Sequence, residues 1–175
     1  YFLRNKRRRN DLAVYDLDTE EEHLLSAGLR ARDPHVSPDG RQIVFARLND
    51  GNANLCIINV DGTGLKQLTN FEDGAQVYAP RWSPDGNTLA MASKAQPGNT
   101  QWYSKLHLFP ADGGERIVML EDFDLGFGAP MWSRDGRTIY WSTGQGTVTN
   151  LFGVDLDSGE LSTSRAPMRG SNGQW

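Results

Sequence analysis

The chain has 175 residues, a formal net charge of −4 and one cysteine. That length suits a single domain with its own core, the acidic balance argues against a general nucleic-acid binder, which needs a basic face, and a lone cysteine excludes an intrachain disulfide. No run of about 18 apolar residues occurs, so no membrane-spanning helix is expected, while 19 glycines and 8 prolines suit a turn-rich all-β chain of many short strands.

Tyr1-Phe2-Leu3-Arg4 aligns with the later Val44-Phe45-Ala46-Arg47 and reads as a second strand. Leu12 to Tyr15 follows as a third strand, Asp16-Leu17-Asp18-Thr19 as a turn and His23-Leu24-Leu25 as a fourth strand. The run Lys6-Arg7-Arg8-Arg9 falls between strands and reads as a solvated hairpin loop, the sharper alternative being a patch for an acidic partner or phosphate. Asp16 to Glu20 looks like part of a calcium loop but lacks its glycine and distal glutamate, so it reads as a turn.

Asp33-Pro34-His35-Val36-Ser37-Pro38-Asp39-Gly40 is the first of three related stretches. It returns as Ala79-Pro80-Arg81-Trp82-Ser83-Pro84-Asp85-Gly86 and as Ala129-Pro130-Met131-Trp132-Ser133-Arg134-Asp135-Gly136. Ser-Pro-Asp-Gly encodes a tight turn: proline pre-sets φ at the second position, serine and aspartate bond the local backbone, and glycine takes the position of positive φ. The turn residues are thus Ser37, Asp39 and Gly40, Ser83, Asp85 and Gly86, and Ser133, Asp135 and Gly136. A strand lies on each side, making a hairpin. After it come a polar loop, a third strand (Asn54 to Val60, Lys105 to Phe109, Asn150 to Leu156), an acidic-glycine turn and a short fourth strand. Four short strands in each of several units of about 40–50 residues define β-propeller blades.

The expected division is a blade lacking its first strand over 1–28, full blades over 29–70, 71–121 and 122–166, and the first strand of a further or closing blade over 167–175. Gly173-Gln174-Trp175 either completes the opening blade as a four-bladed ring or belongs to a longer propeller, and the second reading is favoured because both ends fall within a repeat. Cys56 reads as a small buried hydrophobe. Trp82 and Trp132 are expected to pack between blades, with loss of Trp132 costing roughly 3–5 kcal/mol.

The pattern Trp-Ser-Pro-Asp-Gly, apolar strand, Asn-Leu-apolar, Asp-Gly-Gly and Leu-Thr resembles the WD-like propeller repeats of the TolB family. It equally resembles the propeller domains of prolyl-oligopeptidase-type and tricorn-type peptidases. The resemblance covers nearly the whole chain and implies a fold, not a function.

No Gly-x-Ser-x-Gly nucleophile elbow, His-Glu-x-x-His, paired cysteines or phosphate loop occurs, so no catalytic residue, metal ligand or cofactor is assigned. His23, His35 and His107 read as strand or channel-side residues. The segments leading into the first strands carry mixed aromatic and charged residues, which suit protein contact on a rigid scaffold. Arg30, Arg32, Phe71, Glu72, Tyr78, Asp122, Phe123, Asp124 and Phe127 are the candidate partner-binding residues, with interblade packing of Phe71, Tyr78 and Phe123 as the alternative. Three functions fit: a non-catalytic TolB-like scaffold for a protein or peptide, the gating propeller of a prolyl-oligopeptidase-like serine peptidase, or a structural propeller in a surface or filament assembly. The first is favoured, with a periplasmic or extracellular location expected and the cytoplasm still open.

Overall fold

The computed structural model of the chain describes residues 2–6, 9–72, 74–94, 104–123, 125–145 and 148–165. Arg7 and Arg8 of the basic run, Asp124, and the expected further first strand over 167–175 lie outside the described residues. Among the described residues there are strands and turns but no helix.

The first blade contains β1 (Phe2–Lys6), β2 (Arg9–Tyr15) and β3 (Glu22–Leu24). The second contains β4 (Ala31–Val36), β5 (Gln42–Asn49), β6 (Asn52–Asn59) and β7 (Lys66–Gln67). The third contains β8 (Gln76–Trp82), β9 (Thr88–Lys94), β10 (Ser104–Pro110) and β11 (Ile117–Met119). The fourth contains β12 (Met131–Trp132), β13 (Thr138–Gln145), β14 (Val148–Asp155) and β15 (Leu161–Arg165). Neighbouring strands within each blade pair antiparallel, in chain order. A parallel bridge, Ala53 to Gln76, links the second blade to the third.

Side chains alternate across a strand, and here both faces of the inner blades are apolar. On β5, Ile43 and Phe45 point toward the first blade and pack with Leu12, Cys56 and Ile58. Val44, between them, points the other way and packs with Val77, Leu89, Met91 and Phe109 of the third blade. The third blade repeats the scheme: Ala90, Ala92 and Leu106 face Ile139, Trp141, Phe152 and Val154 of the fourth. The core is therefore a series of interblade layers. Each fully buried aliphatic side chain in them contributes about 1.5–3 kcal/mol. Cys56 belongs to one of these layers, and burial pushes its thiol up to about 11, so it is unreactive at neutral pH.

The three Ser-x-Asp-Gly turns share one hydrogen-bond network. The glycine amide donates to the serine carbonyl at 2.9, 3.0 and 3.1 Å for Gly40, Gly86 and Gly136. The hydroxyls of Ser37, Ser83 and Ser133 donate to Asp39, Asp85 and Asp135. Each serine oxygen also accepts the amide that starts the second strand, from Gln42, Thr88 or Thr138, at 2.9 Å. These hydroxyls, followed by backbone amides, hold all three carboxyls below their ordinary value. Asp16, Asp61 and Asp155 act alike in the later turns, each accepting nearby backbone amides.

Gly86 sits at φ +74, and an added Cβ would meet only Pro38, at 3.7 Å. Substitution there strains the backbone without a collision. Gly86→Val is expected to destabilise the fold by about 1–2 kcal/mol, against little change for exposed Lys94→Ala. Matching melting temperatures for the two variants would refute this.

Two first strands carry the same irregularity. The register shifts between Arg32 and His35 in β4 and between Tyr78 and Arg81 in β8. The bulged residues Asp33 and Ala79 have φ of +55 and +48, and each precedes a proline. A bulge bends a strand and re-aims its side chains. Here it turns Asp33 and His35 toward the neighbouring blade.

Candidate functional site

The segments over 27–33, 70–78 and 121–127 lead into the first strands, and buried polar side chains fix their course. Asn54, on β6, holds the second segment. Its Oδ1 accepts the Phe71 amide at 2.6 Å and the Thr69 hydroxyl at 3.0 Å, while its Nδ2 donates to the Phe71 carbonyl at 3.2 Å. The Leu55 amide donates to Thr69 Oγ1. In the preceding blade Asp11 has the equivalent place: its Oδ1 accepts the Leu29 amide and the Ser26 hydroxyl, and the Leu12 amide donates to Ser26 Oγ. In the third blade Ser104 takes over, donating to the Phe127 carbonyl at 2.7 Å and accepting the Phe127 amide. Asn54→Ala would leave the buried Thr69 hydroxyl without its acceptor, at about 1–3 kcal/mol, and the half-buried Phe71 amide with it. Asn54→Asp keeps the acceptor that Asp11 supplies and is expected to retain more of the urea midpoint.

The first strands are latched to one another across the blades. Trp82 Nε1 donates to the His35 carbonyl at 3.2 Å, and Trp132 Nε1 donates to the Arg81 carbonyl at 3.3 Å. Arg32 Nη2 donates to the Val77 carbonyl at 2.8 Å and to Gln76 Oε1 at 3.1 Å. Between the third and fourth blades, Tyr78 Oη reaches the Phe127 carbonyl at 2.9 Å in the same manner. Between the second and third blades there are two further rungs. Asp33 Oδ2 accepts the Ala79 amide at 3.0 Å, and His35 Nδ1 accepts the Trp82 amide at 3.2 Å.

This geometry sorts the candidate contact residues. Arg30, Glu72 and Asp122 are exposed. Arg32 is half-buried in its latch. Phe71 is half-buried against the second interblade layer, with the Arg116 guanidinium 4.9 Å above its ring. Tyr78 is half-buried between the third and fourth blades, where burial raises its phenol. Phe123 packs edge-on against Trp141 and Phe152, and Phe127 is buried beside Trp141. Asp124 lies outside the described residues. The lead-in segments thus turn their aromatic rings inward and leave Arg30, Glu72 and Asp122 at the surface, while Arg32 and Asp33 are drawn into the latches.

The sequence reading gives Asp11, Asn54 and Arg81 no role in the site and takes His35 as a strand or channel-side residue. The signal for the first two was present, since Asp11-Leu12, Asn54-Leu55 and Asn150-Leu151 recur at the head of third strands. Nothing in the sequence marked His35 and Arg81, whose surroundings depend on which strands become neighbours.

At the other end of the first strands two equivalent grooves open between blades. One, of about 550 Å³, lies beside Trp82 and Lys66; the other, of about 410 Å³, lies beside Trp132 and Arg134. Trp82 is buried but Trp132 is only half-buried, so the large expected cost of losing Trp132 does not follow from its setting. His107 is buried in β10 with Ser93 Oγ 2.6 Å from its Nε2. Its Nδ1 has no hydrogen-bond partner among the described residues. Among the described residues no group of three or more His, Cys, Asp or Glu is placed to hold a metal ion.

No protein-family model matches the chain. TolB from Acinetobacter baumannii superposes over 93% of the chain with a TM-score of 0.72 at 18% identity, and the chain covers 39% of that structure. The fold is that of a TolB-like β-propeller. In sequence the chain is similar to parts of two peptidases. The chain is 30% identical over 121 residues to the uncharacterized peptidase YuxL of Bacillus subtilis, covering 66% of this chain and 17% of that protein. It is 31% identical over 133 residues to dipeptidyl-peptidase 5 of Porphyromonas gingivalis, covering 71% of this chain and 19% of that protein. The chain therefore spans less than a fifth of these curated relatives.

Proposed function

We propose that this TolB-like propeller is a non-catalytic interaction scaffold that takes a protein or peptide partner on the surface formed by its lead-in segments, in the periplasm or outside the cell. The observation that carries the reading is the sorting of those segments, with Arg30, Glu72 and Asp122 exposed on backbone pinned by Asp11, Asn54 and Ser104. Pre-ordered loops lose little conformational freedom when they bind. A photo-crosslinking amino acid placed at Arg30, Glu72 or Asp122 in the producing cell is expected to trap one defined partner, and the same probe at Asn87 in a turn is expected to trap none. Equal labelling at all four positions would overturn the reading.

The similarity to YuxL and dipeptidyl-peptidase 5 supports a second reading, in which the propeller gates the active site of a serine peptidase whose catalytic domain lies elsewhere in the parent protein. A fluorophosphonate probe applied to the natural full-length polypeptide separates the two. Covalent labelling favours the gate, and its absence alongside normal labelling of a control peptidase favours the scaffold.

A further inference from the structure

We propose that β4 and β8 form a receptor for the side-chain carboxylates of an extended acidic peptide, with Arg32, Arg81 and neutral His35 as the donors. The inference rests on the scaffold reading and names the chemistry of its partner. The strands are neighbours, tied by the Asp33–Ala79 and His35–Trp82 hydrogen bonds. The donors occupy positions 32 to 35 on one strand and 81 on the other, a stretch of about 10 Å at roughly 3.3 Å per residue. That length matches two or three residues of extended peptide.

The carboxylate of these two strands among the described residues, Asp33, is hydrogen-bonded to the Ala79 amide rather than paired with an arginine. Arg41 lies 4.0 Å from Asp39 and Arg137 lies 3.9 Å from Asp157. Among the described residues, Arg30, Arg32 and Arg81 have no such carboxylate neighbour. Arg32 spends its Nη2 on the Val77 carbonyl and Gln76, while its Nε is buried without a partner among the described residues. Arg81 donates from Nη1 to the Pro80 carbonyl. Because His35 Nδ1 accepts the Trp82 amide, the neutral ring carries its proton on Nε2, a donor left over for a ligand. Burial and then the charge of Arg81 lower the pKa of His35, so it donates without adding charge at neutral pH. Two half-buried guanidiniums with unused N–H groups would repay a carboxylate through charge-assisted hydrogen bonds.

The test uses fluorescein-labelled, amidated pentapeptides of sequence Glu-Ala-Glu-Ala-Glu and Gln-Ala-Gln-Ala-Gln, read by polarisation. The glutamate peptide is expected to bind at least about tenfold more tightly than the glutamine peptide, with affinity falling as salt rises. Arg81→Gln is expected to weaken it about tenfold at an unchanged melting temperature, while Arg137→Gln, at the turn end, leaves it unaltered. Equal binding of the two peptides would overturn the acidic specificity and leave the scaffold reading standing. Failure of the glutamate peptide to bind, or full affinity in Arg81→Gln, would overturn the site itself.

Discussion

Trp141→Ala is expected to lower the free energy of unfolding by about 3–5 kcal/mol. Trp141 is fully buried on β13. Its ring lies 4.7 Å from that of Phe127, 5.4 Å from Phe123 and 5.7 Å from Phe152, centroid to centroid. Truncation opens a cavity lined by three other aromatic rings, of which Phe152 is held in β14 and Phe127 is pinned through its backbone by Ser104, so the gap closes only in part. Trp132→Ala removes a half-buried ring and one bond to the Arg81 carbonyl, so its cost should be smaller. Urea unfolding of both variants checks the order. Equal midpoints, or a lower midpoint for the Trp132 variant, would show that the interblade layer is not organised around Trp141.

The second large effect is a loss of stability on mild acidification. His107 is pulled down from 6.5 to about 4, first by burial and then by the positive charges of Arg116 and Lys105. Its lowered value means that the folded protein keeps the ring neutral while the unfolded chain takes up a proton. Stability from this group is therefore complete above about pH 6.5 and drains away as the pH falls toward 4. At 1.36 kcal/mol for each pH unit of separation, the loss is roughly 3 kcal/mol. His35 titrates in the same direction, held down by burial and Arg81. The turn carboxylates contribute separately: being lowered, they support the fold above their ordinary value of 3.8 and lose that support only below it. Denaturation midpoints between pH 7 and 4.5 should thus fall steeply in the parent and more gently in His107→Gln. Parallel curves would mean that His107 is not the group responsible.

The hairpins were legible in the sequence because their information is local. Serine, aspartate and glycine sit within four residues of one another, and each contact they make closes within the turn or at the start of the next strand. The expectation of propeller blades followed from that repetition. What stayed hidden depends on which blades become neighbours. Trp82 and Trp132 stand out as repeated letters, yet Trp141, which does not repeat, lies deeper. It occupies the strand position held by Met91 in the preceding blade, where the sequence is free to vary as long as the layer is filled. From composition alone, Phe71, Tyr78 and Phe123 fit either partner contact or packing between blades. The lead-in segments curl inward because Asn54 and Ser104 draw their backbone toward the third strands, and that curl decides which way a ring points. Arg32 looked like a contact residue for the same reason, and its latch to Val77 needed two blades in view.

The turn network and the latches also differ in how far along the chain they reach, and this fixes an order of assembly. Turn bonds join residues two to five positions apart, whereas the latches join residues 44 to 51 apart. Closing a short loop costs little chain entropy, and long-range pairing carries the slow step. Each hairpin should then form early and alone, with the blades locking together afterwards through Trp82, Trp132, Arg32 and Tyr78. In the native state the same asymmetry runs backwards. The amides of Ala79 and Trp82, whose acceptors belong to another blade, should exchange with solvent when blades separate, well before the hairpins on either side come undone.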